Sequence, residues 1–97
     1  MIFVINELKY DTDKMELVSE RCEYSYSHCN ELFGSVIKYR GKNAKLWRSK
    51  KNNWLLTFEI DFNEIRGKAF TSEEAQKLLL KYDVKSYEKI FGELEEA

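Results

Sequence analysis

Proline is absent from this chain, glycine is scattered at four positions, and histidine occurs once. Gly34, Gly41, Gly67 and Gly92 lie too far apart to build a phosphate-cradling loop or a dinucleotide fingerprint. Nucleotide-driven chemistry therefore lacks its parts. A nucleophilic triad would have to be assembled around His28 with Cys22 or Cys29, in a chain with little room for a pocket. The two cysteines supply no multi-bridge framework, and a reducing compartment keeps both as thiols. The N-terminal apolar stretch, Met1 to Ile5, is too short for a signal peptide or a membrane span and has no basic flank. The expected setting is cytoplasmic, with no membrane contact and no enzyme activity.

What is present suits one domain spanning residues 1–97. Hydrophobic residues make up 43% and charged residues 34%, which gives a core and a polar surface rather than a disordered tail. Ile2 to Ile5 and Leu8 to Tyr10 read as a hairpin turning at Asn6-Glu7, since Asn tolerates positive φ. Asp11 or Thr12 can cap a short helix whose stripe is Met15, Val18 and Cys22. Glu23 to Asn30 reads as a loop or irregular strand. Ser35 to Arg40 and Ala44 to Ser49 read as strands separated by a reversal at Gly41-Lys42-Asn43, and Lys50 to Asn53 turns the chain again.

Trp54 to Phe62 alternates with period two. Trp54, Leu56, Phe58, Ile60 and Phe62 are expected on the core, and most of Leu55, Thr57, Glu59 and Asp61 in water. Thr71-Ser72-Glu73-Glu74 is a capping box opening a helix with Ala75, Leu78, Leu79 and Tyr82 on one face. Tyr87, Ile90, Phe91 and Leu94 repeat that spacing in a last helix beginning near Ser86. The expected fold is α+β: a small antiparallel sheet packed by two C-terminal helices, with a short helix after the N-terminal hairpin.

Three sets of side chains carry candidate chemistry. Cys22, His28 and Cys29 offer three of the four ligands a structural zinc takes, the fourth coming from Asp11, Asp13, Glu31, water or another subunit. The competing reading is two ordinary cysteines and an exposed histidine, and no cofactor is required. From Lys38 to Lys51 run seven cations without an acid, with Tyr39 and Trp47 among them. Within that run Lys45, Arg48, Lys50 and Lys51 form a basic hairpin suited to phosphates and bases, or to the wet side of an ordinary sheet. Glu59, Asp61, Glu88, Glu93 and Glu95 form an acidic set able to meet a basic channel.

Taken in order, Leu8-Lys9-Tyr10-Asp11-Thr12-Asp13, Leu46-Trp47-Arg48, Lys50-Lys51-Asn52-Asn53-Trp54-Leu55-Leu56 and Thr71-Ser72-Glu73-Glu74-Ala75 resemble small proteins of phages and mobile elements of Firmicutes. Such proteins open with a lysine-tyrosine-aspartate-threonine hairpin. They continue through an aromatic strand to a helix begun by a serine- or threonine-glutamate-glutamate run. This chain departs from the pattern with Asn6-Glu7 in place of asparagine-glycine and with no glycine soon after the aromatic strand. Some of these proteins look like anti-CRISPR proteins directed at the type II RNA-guided Cas nuclease. The resemblance thus implies an inhibitor of a host type II CRISPR effector by steric or allosteric block of nucleic-acid loading. The net charge of −1 speaks against wholesale DNA mimicry. The alternative is a small nucleic-acid-binding accessory protein using residues 38–51. No catalytic residue and no metal ligand comes with the resemblance.

Overall fold

The computed structural model describes residues 1–30, 35–60 and 64–97, with side chains described in these segments except at 27–30 and 35–38. Asp61, within the expected strand to Phe62, lies outside them. Strands β1 (Ile2–Ile5) and β2 (Leu8–Asp11) form the expected hairpin, with Ile5 opposite Leu8. Asn6 and Glu7 have φ of 51° and 66°, the mirror-image turn that matches strand twist and needs positive φ at both central residues.

The helix expected after Asp11 does not form. Residues Thr12–Lys14 make a single 3-10 turn, capped by the Asp11 carboxylate accepting from Asp13 N–H, and β3 (Glu16–Ser19) follows. A stripe of only Met15, Val18 and Cys22 is too thin to hold a helix. The same segment as a strand gives β5 a hydrogen-bonded edge.

After β3 come β4 (Tyr24–Asn30), β5 (Ser35–Arg48), β6 (Trp54–Glu59) and β7 (Ile65–Phe70), all pairing antiparallel. The order β3-β5-β6-β7 forms the main sheet, and β4 pairs β5. The registers set β3 against Leu46–Arg48 and β4 against Ser35–Gly41, so β3 and β4 follow one another along one edge of β5 while β6 holds the other.

The reversal expected at Gly41-Lys42-Asn43 is a bulge instead. β5 runs through it for 14 residues, about 45 Å at strand rise, close to the molecule's 49 Å long dimension. Lys42 pairs Glu59 and Lys45 pairs Thr57, so β5 carries one extra residue there, with Asn43 at φ 50°. Gly41 is needed because a Cβ at that position would stand 2.9–3.1 Å from Phe58. Turn chemistry in a sequence does not separate a bulge from a reversal.

Helices α1 (Ser72–Tyr82) and α2 (Val84–Phe91) complete the chain. The capping box is present: Thr71 Oγ1 accepts from Glu74 N–H at 3.1 Å, and Glu74 Oε1 accepts from Thr71 N–H at 3.1 Å. The second helix starts at Val84 because Asp83 caps it, and it ends at Phe91, leaving Leu94 beyond it and exposed. Ala75 and Leu79 are fully buried against Leu46, Trp54 and Leu56, and Trp54 stacks on Phe91 with centroids 5.8 Å apart. Among the described residues no helix is long and apolar enough to cross a membrane.

The side of β6 expected to be wet is dry at Leu55 and Thr57, whereas Glu59 is half-buried. Leu55 is 0% and Thr57 4% exposed, alongside Leu56 at 0% on the opposite face. The N-terminal hairpin provides the cover. A Cβ on Gly67, which pairs with Thr57, would come within 2.8 Å of the Phe3 ring. Trp47 Nε1 donates to Thr57 Oγ1 at 2.9 Å, so each of these two groups has a hydrogen-bond partner. The architecture is thus three layers: hairpin, sheet and helix pair.

Two substitutions probe these contacts. Gly67→Ala should lower unfolding free energy by about 1–3 kcal/mol, because Phe3 has to leave its seat. Glu7→Gly should raise it by about 0.5–1 kcal/mol, relieving a side chain held at positive φ less the entropy glycine adds. Thermal melts of the two variants, moving in opposite directions, check the hairpin-on-sheet layer and its turn.

Candidate interaction surface

Each candidate set has a definite place in this architecture. Of the zinc trio, Cys22 is 5% exposed and its thiol donates to Ser19 Oγ at 3.7 Å. Burial pushes the thiol up, the Ser19 bond opposes this, and the nearby Asp83 charge adds to the rise, so the thiolate a metal requires is disfavoured. The side chains of His28 and Cys29 lie outside the described residues. Their backbone is in β4, where Tyr24 to Cys29 spans about 17 Å at strand rise. Among the described residues no group of three His, Cys, Asp or Glu side chains could hold a metal ion.

Cys22 belongs to a hydrogen-bonded joint between the β3–β4 break and the helix pair. Asp83, 8% exposed, accepts from Ser19 Oγ at 2.6 Å and from Ser86 N–H at 3.3 Å. Ser86 Oγ lies 2.7 Å from Asp83 Oδ2 and 3.2 Å from the Val18 carbonyl, and its one proton serves both. Ser19 Oγ in turn accepts from Arg21 N–H at 3.2 Å. Burial acts to raise the Asp83 carboxyl. The Ser19 and Ser86 donors, with Arg21 nearby, outweigh it and hold the group below the ordinary carboxylate range.

The acidic set does not make one face. Glu59 pairs with Lys42 and Ile65 at the far end of β6, on the hairpin side, where its Oε2 accepts from Asn43 Nδ2 at 3.0 Å. Glu88 sits on α2, across the sheet, and accepts from Leu94 N–H at 3.2 Å. Glu93 and Glu95 follow that helix and are exposed, and Asp61 lies outside the described residues.

The basic set also divides. Lys45 stands beside the bulge, 3.9 Å from Glu20. Arg48 is 2.8 Å from Glu16 and lies over the Trp54 ring at 5.9 Å. Lys50 and Lys51 occupy the β5–β6 turn, where Asn52 at φ 62° donates to the Ser49 carbonyl and Ser49 Oγ accepts from Asn53 N–H. Trp47 and Trp54 are committed internally, to Thr57 and Phe91.

What joins Lys50 and Lys51 was not visible as a linear run. The fold brings Lys9 from β2 and Lys14 from the 3-10 turn to the same end. All four line an open groove of about 420 Å³ with Tyr10 and Asp11. A second groove adjoins it, sharing Lys14 and Lys50 and adding Arg48, Glu16 and Asp13. Lys9, Lys14, Lys50 and Lys51 are exposed, and among the described residues none has a carboxylate within 4 Å. Asp13 lies 3.9 Å from the N-terminal ammonium, and Asp11 Oδ1 accepts from Asp13 N–H, so the acids here have other partners.

No family model, curated protein or solved structure matches the chain.

The joint yields a pH signature. Asp83 is held below its unfolded value of about 3.9, so its contribution is full above that pH and is lost as pH falls through the lower folded value. Asp83→Asn should cost about 1–3 kcal/mol at neutral pH. The gap from wild type should close below about pH 4 in urea unfolding measured across the acid range. A gap unchanged down to pH 2 would show that the charge plays no part.

Proposed function

We propose that the chain is a binding protein, not an enzyme, and that its cationic end takes the phosphates of a nucleic acid. One observation carries this reading: four ammonium groups from three separate segments converge on adjoining grooves without carboxylate partners among the described residues. Building that convergence needs the hairpin, the 3-10 turn and the β5–β6 turn together. Five cations against three carboxylates line the two grooves, so the end attracts anions although the chain as a whole is nearly neutral. Each ammonium laid on a phosphate releases condensed counterions, which favours binding at low salt.

Neutralising Lys50 and Lys51 together should weaken binding of DNA or RNA about equally across sequences. It should also lower the slope of log affinity against log salt by roughly 2. Gel retardation over a salt series reads both. Absence of any retardation by the unmodified protein at low salt would remove the proposal.

A second reading is favoured by a different observation. Ile2 is 57% and Val4 73% exposed on the outer face of the hairpin that carries the Lys9-Tyr10-Asp11-Thr12 segment, and such apolar exposure suits a protein partner. With the resemblance to phage and mobile-element proteins, it supports an inhibitor of the type II RNA-guided Cas nuclease acting in the cytoplasm of the bacterial host. Capture of the effector complex and reduced target cleavage in vitro, both lost in Val4→Asp, are the expected results. Undiminished cleavage with no capture would end that reading.

A further inference from the structure

We propose that an aromatic groove on the helix-side face of the sheet, separate from the cationic end, takes the bases of a single-stranded nucleic acid; this rests on the reading that the partner is a nucleic acid. The pairing of β6 with β7 sets Phe58 opposite Arg66 and Leu56 opposite Lys68, so both cations share the face that the helices pack against. Arg66 and Lys68 are nevertheless exposed, so α1 and α2 stop short of this part of the sheet. In that space Tyr26, Phe58 and Ile60 face Arg66 and Lys68 across an open groove of about 430 Å³.

The rings here form a continuous series. Tyr39 stacks on Tyr26 at 5.5 Å and 22°, Tyr26 on Phe58 at 5.7 Å and 30°, and Tyr24 meets Phe58 at 4.7 Å. Lys68 is fixed at the rim, its Nζ 3.3 Å from Tyr24 Oη and 5.5 Å from that ring's centroid, while among the described residues Arg66 pairs with the exposed Glu64 at 3.1 Å. The half-buried rings of Tyr24, Tyr26 and Tyr39, set around the buried Phe58 and beside exposed cations, pair a surface for base π-faces with donors for the phosphates between them. That combination tolerates any sequence. A duplex keeps its base faces stacked inside, so the groove selects single strands.

Fluorescence anisotropy with a labelled 12-mer of deoxythymidine, a duplex of equal length and inorganic polyphosphate tests this. Tyr26→Leu keeps apolar bulk but removes the phenol ring, and Lys68→Ala changes an exposed side chain. Each should weaken single-strand binding roughly five- to tenfold, and Tyr26→Leu should leave polyphosphate binding unchanged. Lys50→Ala with Lys51→Ala should weaken both. Single-strand affinity unaffected by Lys68→Ala and by a folded Tyr26→Leu, or a duplex bound as tightly as the single strand, overturns the groove and leaves the cationic end standing. Single-strand binding that responds to Tyr26 and Lys68 but not to Lys50 and Lys51 overturns the cationic end alone. If the unmodified protein binds neither strand form, both fall.

Discussion

β5 sets the terms for everything else in this fold. A strand of 14 residues presents a donor or acceptor on alternate sides at every position, and each has to be met or left to water. Its C-terminal half is met on both edges, by β3 and by β6, whereas the half from Ser35 to Gly41 pairs with β4. The edge held by β3 and β4 breaks between Ser19 and Tyr24. The buried Asp83 joint sits at that break, drawing Ser19, Ser86 and, through Ser86, the Val18 carbonyl onto one carboxylate. The helix pair is thereby tied to the strand edge at the point where ladder hydrogen bonds run out.

The second constraint is that β6 must be dry on both faces. Its burial from Trp54 through Phe58 is continuous. A strand between two covering layers reads as an apolar run, and Trp54-Leu55-Leu56 is one. The helices supply one cover with Ala75 and Leu79. The hairpin supplies the other with Phe3, which seats only because residue 67 has no side chain. Gly41 does the same service on the helix side for Phe58. Two of the four glycines are therefore places where a ring lies against backbone rather than places where the chain turns.

These demands explain which parts of the structure were legible in the sequence. Local chemistry was readable where one short segment settles the outcome: the Asn6-Glu7 turn, the Thr71 capping box, the Lys50 to Asn53 turn, and the α1 face of Ala75, Leu78, Leu79 and Tyr82. Reading failed where a distant partner decides. Residues 12–22 became a turn and a strand because β5 had an open edge, and Gly41-Lys42-Asn43 became a bulge because β4 and β6 pair with β5 on either side of it. Leu55 is buried by a hairpin some fifty residues earlier in the chain. The cationic end was half legible. Lys50 and Lys51 stand in a basic run, but Lys9 and Lys14 look unremarkable until the fold carries them there. The acidic set was legible as composition only, since Glu59 and Glu88 lie on opposite sides of the sheet.

The two proposed contact surfaces lie at opposite ends of β6 and on opposite faces, and this separation bears on what kind of partner can use both. The cationic end gathers around the β5–β6 turn on the hairpin side, while Tyr26, Phe58, Arg66 and Lys68 surround the far half of β6 on the helix side. A duplex, with a persistence length of about 50 nm, does not fold around a sheet whose domain measures 22 Å in its thinnest direction. A single strand would, with its bases on the rings of one side and its phosphates on the ammonium groups of the other. The surfaces would also answer differently to conditions. Phosphate contacts weaken steeply with salt, whereas base stacking is an apolar contact and holds. On this proposal the rings of the aromatic face would keep some grip on a strand when salt weakens the phosphate contacts of the cationic end.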